Sequence, residues 1–330
     1  MKYDVIIIGA GLAGATCGYL FRKQDKKVLI IEKENIKKKD KLCGGLLTDK
    51  SYNLYNEIFP KNKLKFKEHD CFYINNNGKR IKFKNSFHSI YRKDLDDYAL
   101  KQYIKLDGEI LDEVEKYTLD MDNNKIVVGK KVYKYDYLIG ADGVFSPLRK
   151  EVTGRMQDRC FACEINAPVR DDIDIYFFNN LKGYSWLIPN MKNTVVGLGG
   201  IDKDNKVEEK LEKFLKDQGI EKEKVRGAFF PTGHDIYLRK KNIYFVGDAS
   251  GVISPITAEG IYYALKTSKL LSEHIGKDYS NSLKPVLSAL EREKIYKKYV
   301  YNVKMRNFIF DHHNNKLIRK AIYHLIRKHF

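Results

Sequence analysis

Three acidic residues stand where short apolar runs end, which is where a polar cofactor could meet them. Glu32 follows the run VLII, Asp142 follows YLIGA, and Asp248 follows IYFVG. A carboxylate at the end of a buried strand is costly unless polar groups contact it. The hydroxyl groups of a ribose or a ribityl chain are such groups. The three acids therefore indicate a nucleotide-binding site.

Glycines near the start of the chain strengthen that prediction. Gly9, Gly11 and Gly14 have GxGxxG spacing between an apolar strand and a helix, and a second apolar strand ends at Glu32. The first glycine permits a tight turn, the second lets a pyrophosphate approach the backbone, and the third lets helix and strand pack closely. The helix N-terminus supplies free N–H groups. Glu32 would accept hydrogen bonds from ribose hydroxyls and repel a 2′-phosphate.

The two later acids favour FAD over NAD as the dinucleotide. A plain dehydrogenase needs neither, whereas FAD has a polyhydroxylated ribityl chain midway along its length, and Asp248 suits a contact with it. The segment from Pro255 to Gly260 would bring a helix N-terminus towards the flavin ring, where the helix dipole stabilises negative charge on reduced flavin. Asp142 and Asp248 could instead be turn-forming or helix-capping acids.

Length, composition and charge limit the number of domains and the classes of protein that this sequence fits. The 330 residues leave room for two domains or one interrupted domain. No apolar run approaches the roughly 20 residues of a membrane-spanning helix. The N-terminus lacks the pattern of a signal peptide, so we expect a cytoplasmic protein. The net charge of +18 comes from scattered lysines, which fits a compositional bias better than a nucleic-acid site, and we expect no nucleic-acid partner.

Cysteine usage predicts neither a disulfide framework nor a metal site. The chain has five cysteines, an odd number. Cys160 and Cys163 have CxxC spacing, but they fall in a predicted strand, where residues three apart face opposite sides of the sheet. Cys17 lies inside the first helix, where a core position is expected.

The order of these motifs resembles the FAD-dependent p-hydroxybenzoate-hydroxylase-like superfamily. Within it, the chain is most similar to the geranylgeranyl reductase family. Four stretches carry the closer similarity: KLCGGLL at 41–47, YRKDLDDYAL at 91–100, GYSWLIPN at 183–190, and GDASGVISPITAEGIYYAL at 247–265. The resemblance covers residues 1–275, and Ala258 stands where the family usually has glycine. GYSWLIP also resembles the Trp-x-Trp-x-Ile-Pro motif of flavin-dependent halogenases, with Tyr184 in place of the first Trp.

The resemblance implies an α/β fold in which a Rossmann-like FAD-binding domain is interleaved with a smaller antiparallel β-sheet substrate domain, followed by a helical C-terminus. We expect the FAD-binding domain at 1–70, 90–150 and 236–282, the substrate domain at 71–89 and 151–235, and the helical segment at 283–330. The substrate domain would hold a hairpin turning at 76–78, strands near 160–169, 173–178, 184–189 and 194–199, and a helix at 207–218.

The resemblance also implies the residues of a site. Cys43, Tyr184 and Trp186 are the candidate catalytic residues. The Cys43 thiol could donate a proton or shape the site, or it could be a small buried residue beside a tight turn. The candidate cofactor-binding residues are Gly9, Gly11, Leu12, Ala13, Gly14, Glu32, Lys33, Cys43, Gly44, Gly45, Arg92, Val114, Asp142, Gly247, Asp248, Pro255, Glu259, Gly260 and Ile261.

The implied reaction is hydride transfer from reduced flavin to a carbon–carbon double bond of a prenyl or polyprenyl lipid. The site must exclude water, hold the alkene against the ring and supply a proton. An apolar wall could come from several aromatic residues, unless they are simply core of the sheet: Tyr176, Phe177, Phe178, Tyr184, Trp186, Phe229 and Phe230.

Two other functions remain open at this point. One is a flavin-dependent monooxygenase or halogenase acting on an apolar or aromatic small molecule; the other is a non-catalytic or electron-relay flavoprotein. The sequence has no second GxGxxG unit, so the electron donor could be transiently bound NAD(P)H or a ferredoxin-like partner. Residues 304–330 contain seven Lys or Arg and one acid. Their basic amphipathic pattern could lie on an anionic membrane at its inner face or pack on the FAD-binding domain.

Overall fold

The computed structural model describes residues 1–201 and 206–320. The strands are β1 (Lys2–Ile8), β2 (Val28–Ile31), β3 (Leu46–Thr48), β4 (Lys67–Asn76), β5 (Lys79–Ser89), β6 (Glu109–Leu111), β7 (Thr118–Asp120), β8 (Lys125–Val128), β9 (Lys131–Gly140), β10 (Arg159–Ala167), β11 (Asp174–Phe177), β12 (Lys182–Pro189), β13 (Thr194–Ile201), β14 (Arg226–Pro231), β15 (Arg239–Lys240) and β16 (Ile243–Phe245). The helices are α1 (Leu12–Arg22), α2 (Asp49–Ile58), α3 (Arg92–Ile104), α4 (Pro147–Thr153), α5 (Val207–Asp217), α6 (Ile261–His274), α7 (Tyr279–Ser282), α8 (Lys284–Val300) and α9 (Val303–Asp311).

The first sheet positions the predicted nucleotide motifs. Its strands run in the order β15-β16-β9-β1-β2-β6, with β7 and β8 attached beside β9. The pairs from β16 to β6 are all parallel. Strands β1 and β2 are apolar runs because parallel strands are covered on both faces. Carboxyl ends of parallel strands meet at one edge of a sheet, and Gly9, Glu32, Ala141 and Val246 follow the strands there.

The second sheet is mostly antiparallel, in the order β14-β10-β13-β12-β11-β4-β5-β3. Its predicted hairpin is β4–β5, in which pairing extends from the turn as far as Lys67 and Ser89. The turn falls at Asn77 and Gly78, with φ of 48° and 75°, the left-handed pair that two-residue hairpin turns favour. The fold class predicted from the sequence is confirmed.

The two faces of the second sheet differ. One face packs on α5 through a buried apolar cluster that includes Cys163, Val196 and Leu198. Tyr176 and Phe178 belong to this core, because their rings lie 5.0 Å and 5.9 Å from the ring of Phe214. These two aromatic residues therefore do not contribute to the predicted wall.

The CxxC pair behaves as the strand pattern predicts. Cys160 and Cys163 are both unpaired, and the alternation of β10 places them on opposite faces of the sheet. Cys17 is buried in α1, as expected.

The helical C-terminus is confirmed over the part that the structure describes. Helix α9 is fixed to the second sheet by Arg306, a buried residue that donates to the side-chain oxygen of Asn76 at 2.7 Å and to the carbonyl of Phe178 at 3.0 Å. Residues 316–320 begin a further helical stretch, whereas 321–330 lie outside the described residues. Among the described helices, none has the length and apolar character needed to cross a membrane.

Candidate active site

The three glycines of the first turn have different surroundings. A side chain at Gly9 would lie 2.4 Å from the carbonyl oxygen of Ala141, and one at Gly14 would lie 1.9 Å from the carbonyl oxygen of Gly9. Both positions thus need glycine for backbone packing, and Gly9 also has φ of +104°. At Gly11, by contrast, no described atom lies within 4 Å of the added carbon.

The open space at Gly11 lies at the N-terminus of α1. Gly11 is the capping residue of this helix, and no described side chain caps it. The free N–H groups and the helix dipole suit a pyrophosphate at this point. Leu12 and Ala13, also predicted to contact the cofactor, form the buried first turn of α1. The described residues therefore fit the dinucleotide that the motif predicts.

Glu32 is held as a carboxylate at the end of β2. Its side chain accepts hydrogen bonds from the backbone N–H groups of Ala10, at 2.6 Å, and Glu34, at 2.9 Å. It also forms an ion pair with Lys39. Burial alone would raise the pKa of Glu32, but the Lys39 ammonium and the two N–H groups outweigh burial and lower it. An ionised acceptor at this position suits ribose hydroxyls.

Two further predicted residues lie close to Glu32 in the chain or in space. The backbone N–H of Val114 donates to the carbonyl of Glu32 at 2.9 Å. Lys33 points its exposed side chain towards Glu34, 3.6 Å away. Both places are compatible with the adenosine end of a dinucleotide.

Asp248 lies in a short 3₁₀ turn directly after β16. Its carboxylate is 2.6 Å from the ammonium of Lys41, and a side chain at Gly260 would be 3.5 Å from its Oδ1. Burial would raise the pKa of Asp248, but the charges of Lys41 and Arg92 outweigh it and lower the pKa. An ionised carboxylate thus stands beside the N-terminus of α6.

Lys39 and Lys41 are site residues that the sequence analysis missed. They belong to the run KKKDK at 37–41, and Lys41 also opens the stretch KLCGGLL, but neither lysine is among the predicted site residues. In the structure, Lys39 pairs with Glu32 and Lys41 pairs with Asp248. The pairings depend on tertiary structure, and no local signal in the run predicts them.

Arg92 is a buried cation behind this site. Its Nε donates to Asp96 at 2.6 Å, one turn further along α3. Burial would lower the pKa of Arg92, but the carboxylates of Asp96 and Asp248, together with the nearby Cys43 side chain, outweigh burial and raise it. Arg92 is therefore a fixed positive charge that faces both the Cys43 loop and Asp248.

Asp142 serves partly as a capping residue. Its Oδ2 accepts from the backbone N–H of Leu148 at 3.3 Å, in the first turn of α4. Its Oδ1 is buried without a hydrogen-bond partner among the described residues. Burial raises the pKa of Asp142 to about 6. Oδ2 of Asp142 thus acts as a helix cap, whereas Oδ1 is available to a ligand.

The N-terminus of α6 is built by the segment from Pro255 to Gly260. Gly260 is the helix-capping residue, and no described side chain caps the helix. Ala258, where the related family has glycine, has φ of +53°, a left-handed conformation that is unfavourable for alanine. Free N–H groups at this end of the 14-residue helix α6 are consistent with a flavin ring placed there.

The side chain of Glu259 is engaged away from this helix end. Its Oε1 accepts hydrogen bonds from the hydroxyl groups of Thr48 and Ser51, both at 2.6 Å. Its Oε2 lies 2.8 Å from the ammonium of Lys50. The carboxylate therefore ties α6 to the start of α2, which leaves the backbone of Glu259 as the part that could face a cofactor.

The Cys43-Gly44-Gly45 loop lies directly against β12. A side chain at Gly44 would be 2.6 Å from Ile188 and 3.4 Å from the indole nitrogen of Trp186. One at Gly45, where φ is +70°, would be 1.9 Å from the carbonyl oxygen of Ile90. The two glycines allow the close approach, and the Cys43 sulfur accepts from the N–H of Gly45 at 3.5 Å.

An aromatic wall covers the sheet opposite this loop. The Trp186 ring lies over Gly197, whose added side chain would be 2.3 Å from Cζ2. Tyr184, the neighbouring aromatic on β12, has its ring centre 5.8 Å from that of Trp186 and donates a hydrogen bond to the carbonyl of Thr257. Phe177 packs beside Tyr184 at 6.2 Å. The loop, the α6 entry segment and the wall are thus brought together as predicted.

The edge strand of the sheet contributes less to the wall. Phe229 is 40% exposed and its ring packs against Phe145 and Phe161 at the protein surface. Phe230 is half-buried next to Cys160.

Glu164 is a further residue that the sequence analysis missed. It lies on β10 opposite Gly197 of β13 and Arg226 of β14, and it is 1% exposed. Burial raises the pKa of Glu164 to about 7, although the Arg226 guanidinium and the backbone N–H of Cys43 act to lower it. The one available signal is an acid in the middle of a strand whose neighbouring residues, Ala162, Cys163 and Ile165, are apolar.

Comparison with known proteins identifies the family of the chain. The family model for pyridine nucleotide-disulphide oxidoreductases matches residues 3–170. A digeranylgeranylglycerophospholipid reductase from Methanocaldococcus jannaschii is 27% identical, over 93% of this chain and 86% of the relative. A geranylgeranyl diphosphate reductase from Rhodobacter capsulatus is 27% identical, over 80% of this chain and 72% of the relative.

Solved structures show the same fold at low identity. A geranylgeranyl bacteriochlorophyll reductase-like protein from Thermoplasma acidophilum has a TM-score of 0.77 at 18% identity, covering 97% of this chain and 96% of that one. A probable FAD-dependent monooxygenase from Pseudomonas aeruginosa has a TM-score of 0.71 at 16% identity, covering 94% and 100%. The chain belongs to the pyridine nucleotide-disulphide oxidoreductase family, and it is an FAD-dependent oxidoreductase similar to geranylgeranyl reductases.

Proposed function

We propose that this oxidoreductase reduces carbon–carbon double bonds of a prenyl or polyprenyl lipid. The observation that carries the proposal is the aromatic wall of Phe177, Tyr184 and Trp186 facing the Cys43 loop. An isolated alkene offers no polar group for recognition, so its position must be fixed by apolar contacts and by exclusion of water. The names of the reductases that share most of this chain's length support the same substrate class.

The chain's own residues would hold FAD and orient the alkene. The Gly11 turn would accept the pyrophosphate, Glu32 the adenosine ribose, and Asp248 the ribityl chain. Bound FAD, once reduced, supplies hydride for the reaction. The uncapped N-terminus of α6 would stabilise negative charge beside the ring. We propose that the first sheet and its helices form the FAD-binding domain and that the second sheet forms the substrate domain.

Oxygen dependence separates this proposal from its main competitor. A monooxygenase or halogenase needs oxygen to react with reduced flavin, whereas alkene reduction does not. We expect dithionite-reduced protein to saturate polyprenyl substrates under argon, as measured by mass spectrometry of the lipid. Product that forms only after oxygen is admitted would support the competing function. NAD(P)H and a ferredoxin-like protein are then compared as electron donors in place of dithionite.

Cys43 provides the test of the site. We expect Cys43→Ala to lower anaerobic turnover while flavin absorbance near 450 nm stays at the wild-type level, because the thiol faces the substrate and not the nucleotide. Cys71→Ala is the matched control, since Cys71 lies in β4 on the far part of the second sheet. Wild-type turnover in Cys43→Ala would show that the thiol only fills space beside the turn.

We further propose that the C-terminal segment brings the protein to an anionic membrane surface, where such a lipid would reside. Leu317, at the start of the last helical stretch, is 78% exposed and stands among Lys316, Arg319 and Lys320. The remainder of the predicted amphipathic helix, 321–330, lies outside the described residues.

A further inference from the structure

Glu164 is buried, yet nothing in its surroundings accounts fully for its carboxyl group. Its Oε2 has no hydrogen-bond partner among the described residues. Its Oε1 is 3.5 Å from Arg226, and Arg226 directs its shorter contact, 2.7 Å, to Asp40. A buried carboxyl group with an unused oxygen is costly in a purely structural role.

The position of Glu164 in the sheet brings it next to Trp186 of the aromatic wall. In the strand register, Glu164 is opposite Gly197, and Gly197 is opposite Trp186. A side chain at Gly197 would lie 2.8 Å from the indole nitrogen of Trp186, and neighbouring strands are about 5 Å apart. Glu164 and the indole N–H therefore flank the same glycine.

The indole nitrogen of Trp186 is the second unpaired polar group at this place. It is buried and has no hydrogen-bond partner among the described residues. The backbone N–H of Cys43 also acts on the Glu164 carboxyl group. A carboxyl oxygen and an indole N–H thus remain unused where the aromatic wall meets the Cys43-Gly44 loop.

We infer that Glu164 supplies the proton in the alkene reduction proposed above, and this inference rests on that proposed function. The π bond of the alkene breaks as one carbon takes hydride from reduced flavin and the other takes the proton of the Glu164 carboxyl group. Flavin is oxidised, the alkene is reduced, and Glu164 is left as a carboxylate. Cys43 then shapes the site and is not the proton source.

The proposed proton donor must also be reprotonated, and the Arg226 pair at the edge of the sheet is the partly exposed group next to it. Arg226, which contacts the Glu164 carboxyl group, is 38% exposed, and its partner Asp40 is 49% exposed. Glu164 would exchange its proton with solvent through this partly exposed pair, on the side of the carboxyl group where Arg226 contacts it. The titratable groups facing Glu164 are Arg226 from β14, and Asp40 and Cys43 from the loop.

The direction of the pH dependence follows from the protonation state that donates. The carboxyl group must hold its proton, so a single turnover should slow as the pH rises through about 7, the value to which burial raises the pKa of Glu164. Loss of a general acid costs about 10²–10⁴-fold in rate. We expect Glu164→Gln to show a loss in that range and to lack this pH limb, while Glu164→Asp restores part of the rate.

The experiment combines anaerobic single turnovers of the reduced, FAD-loaded protein with infrared titration of the oxidised protein without substrate. A neutral carboxyl band that titrates near pH 7 should be present in wild type and absent in Glu164→Gln. Asp142→Asn identifies any band from Asp142, whose pKa burial raises to about 6. Asp174→Asn, a buried acid on β11 paired with Arg80, is the matched control and should keep the wild-type pH limb.

The outcomes separate the two proposals. If Glu164→Gln turns over at the wild-type rate and keeps the same pH limb, Glu164 is not the proton donor. The proposal of alkene reduction still stands in that case. An infrared band that Glu164→Gln leaves unchanged also overturns that role. Failure of every form, including wild type, to reduce a polyprenyl alkene overturns the proposed function and this inference with it.

Discussion

Single glycines in the first turn have separable roles in folding and in cofactor binding. The carbon added at Gly14 would meet the carbonyl oxygen of Gly9 at 1.9 Å, whereas the one added at Gly11 would meet no described atom within 4 Å. The first position is a packing constraint inside the protein. At the second position the protein itself imposes no such constraint, and we propose that the bound cofactor does.

We expect Gly11→Ala to fold with wild-type stability and to bind FAD at least tenfold more weakly, because the methyl group enters the space of the pyrophosphate. Gly14→Ala should instead lower the free energy of unfolding, since a backbone oxygen must move. Urea unfolding of the flavin-free proteins and flavin fluorescence titration measure the two effects. Equal FAD affinity in Gly11→Ala and wild type would show that the cofactor does not approach this backbone.

Residue types alone predicted part of this site. Gly9, Gly11, Gly14 and Glu32 have roles fixed by the local turn, and a local spacing is visible in a sequence. Lys41 and Glu164 were missed because their partners are distant along the chain, such as Asp248 for Lys41. Lys39 was missed although Glu32 is only seven residues away, because the spacing does not show that the intervening loop folds back. Lysine is common on any surface, so only the fold distinguishes a lysine that pairs with a largely buried acid.

At the scale of elements, α2 and α6 are joined by two ion pairs that differ in burial. Glu259, whose side chain is 9% exposed, accepts from Thr48 and Ser51 and pairs with Lys50. Glu57, which is 57% exposed, pairs with Lys269 at 2.5 Å. Both carboxylates connect α2 with α6 or the segment that precedes it, but Glu259 is buried in the protein whereas Glu57 is exposed to water.

We expect Glu259→Ala to lower the free energy of unfolding by about 2–4 kcal/mol, because it leaves two hydroxyl groups and a cation without their acceptor. Glu57→Ala should cost below about 1 kcal/mol, as exposed pairs do. Urea denaturation followed by circular dichroism measures both. Similar losses for the two variants would contradict the idea that burial decides the strength of the connection.

Helices and strands were largely predictable, and their pairing was not. Apolar runs gave β1 and β2, and the amphipathic pattern of 207–218 gave α5, within one residue of its end. The register that sets Glu164 beside Gly197 and Trp186 depends on three separate strands. Helix α2 and its contact with Glu259 were not predicted either, because the segment after the Cys-Gly-Gly loop has no distinctive motif.

At the scale of the whole molecule, the proposed contact of the C-terminal segment with an anionic membrane leads to a further prediction. Helix α9 is fixed by buried Arg306, so removal of residues beyond it should leave the fold intact. We expect the full chain to float with anionic vesicles, less so at high salt because the attraction is screened. Deletion of 313–330 should abolish flotation and preserve bound FAD.

Two controls decide the meaning of that result. Neutral vesicles should capture little of the full chain if headgroup charge is required. A truncated protein that is insoluble or free of flavin would place residues 313–330 in the folded core and contradict the membrane role. The sequence alone could not settle this choice, because an amphipathic helix has the same pattern whether it packs on protein or on lipid.

The parallel pairing of β1 with β9 and of β9 with β16 has a consequence for biosynthesis. The proposed cofactor pocket combines Gly11 from the first turn with Asp248, which follows β16, so a ribosome must translate most of the chain before this pocket can form. Contacts between such distant segments also slow folding, because long loops must close first. Nascent chains should therefore be unable to bind FAD until Asp248 has emerged from the ribosomal exit tunnel. The supply of riboflavin, from which FAD is made, would then affect only the final step, in which the nearly complete chain binds its cofactor.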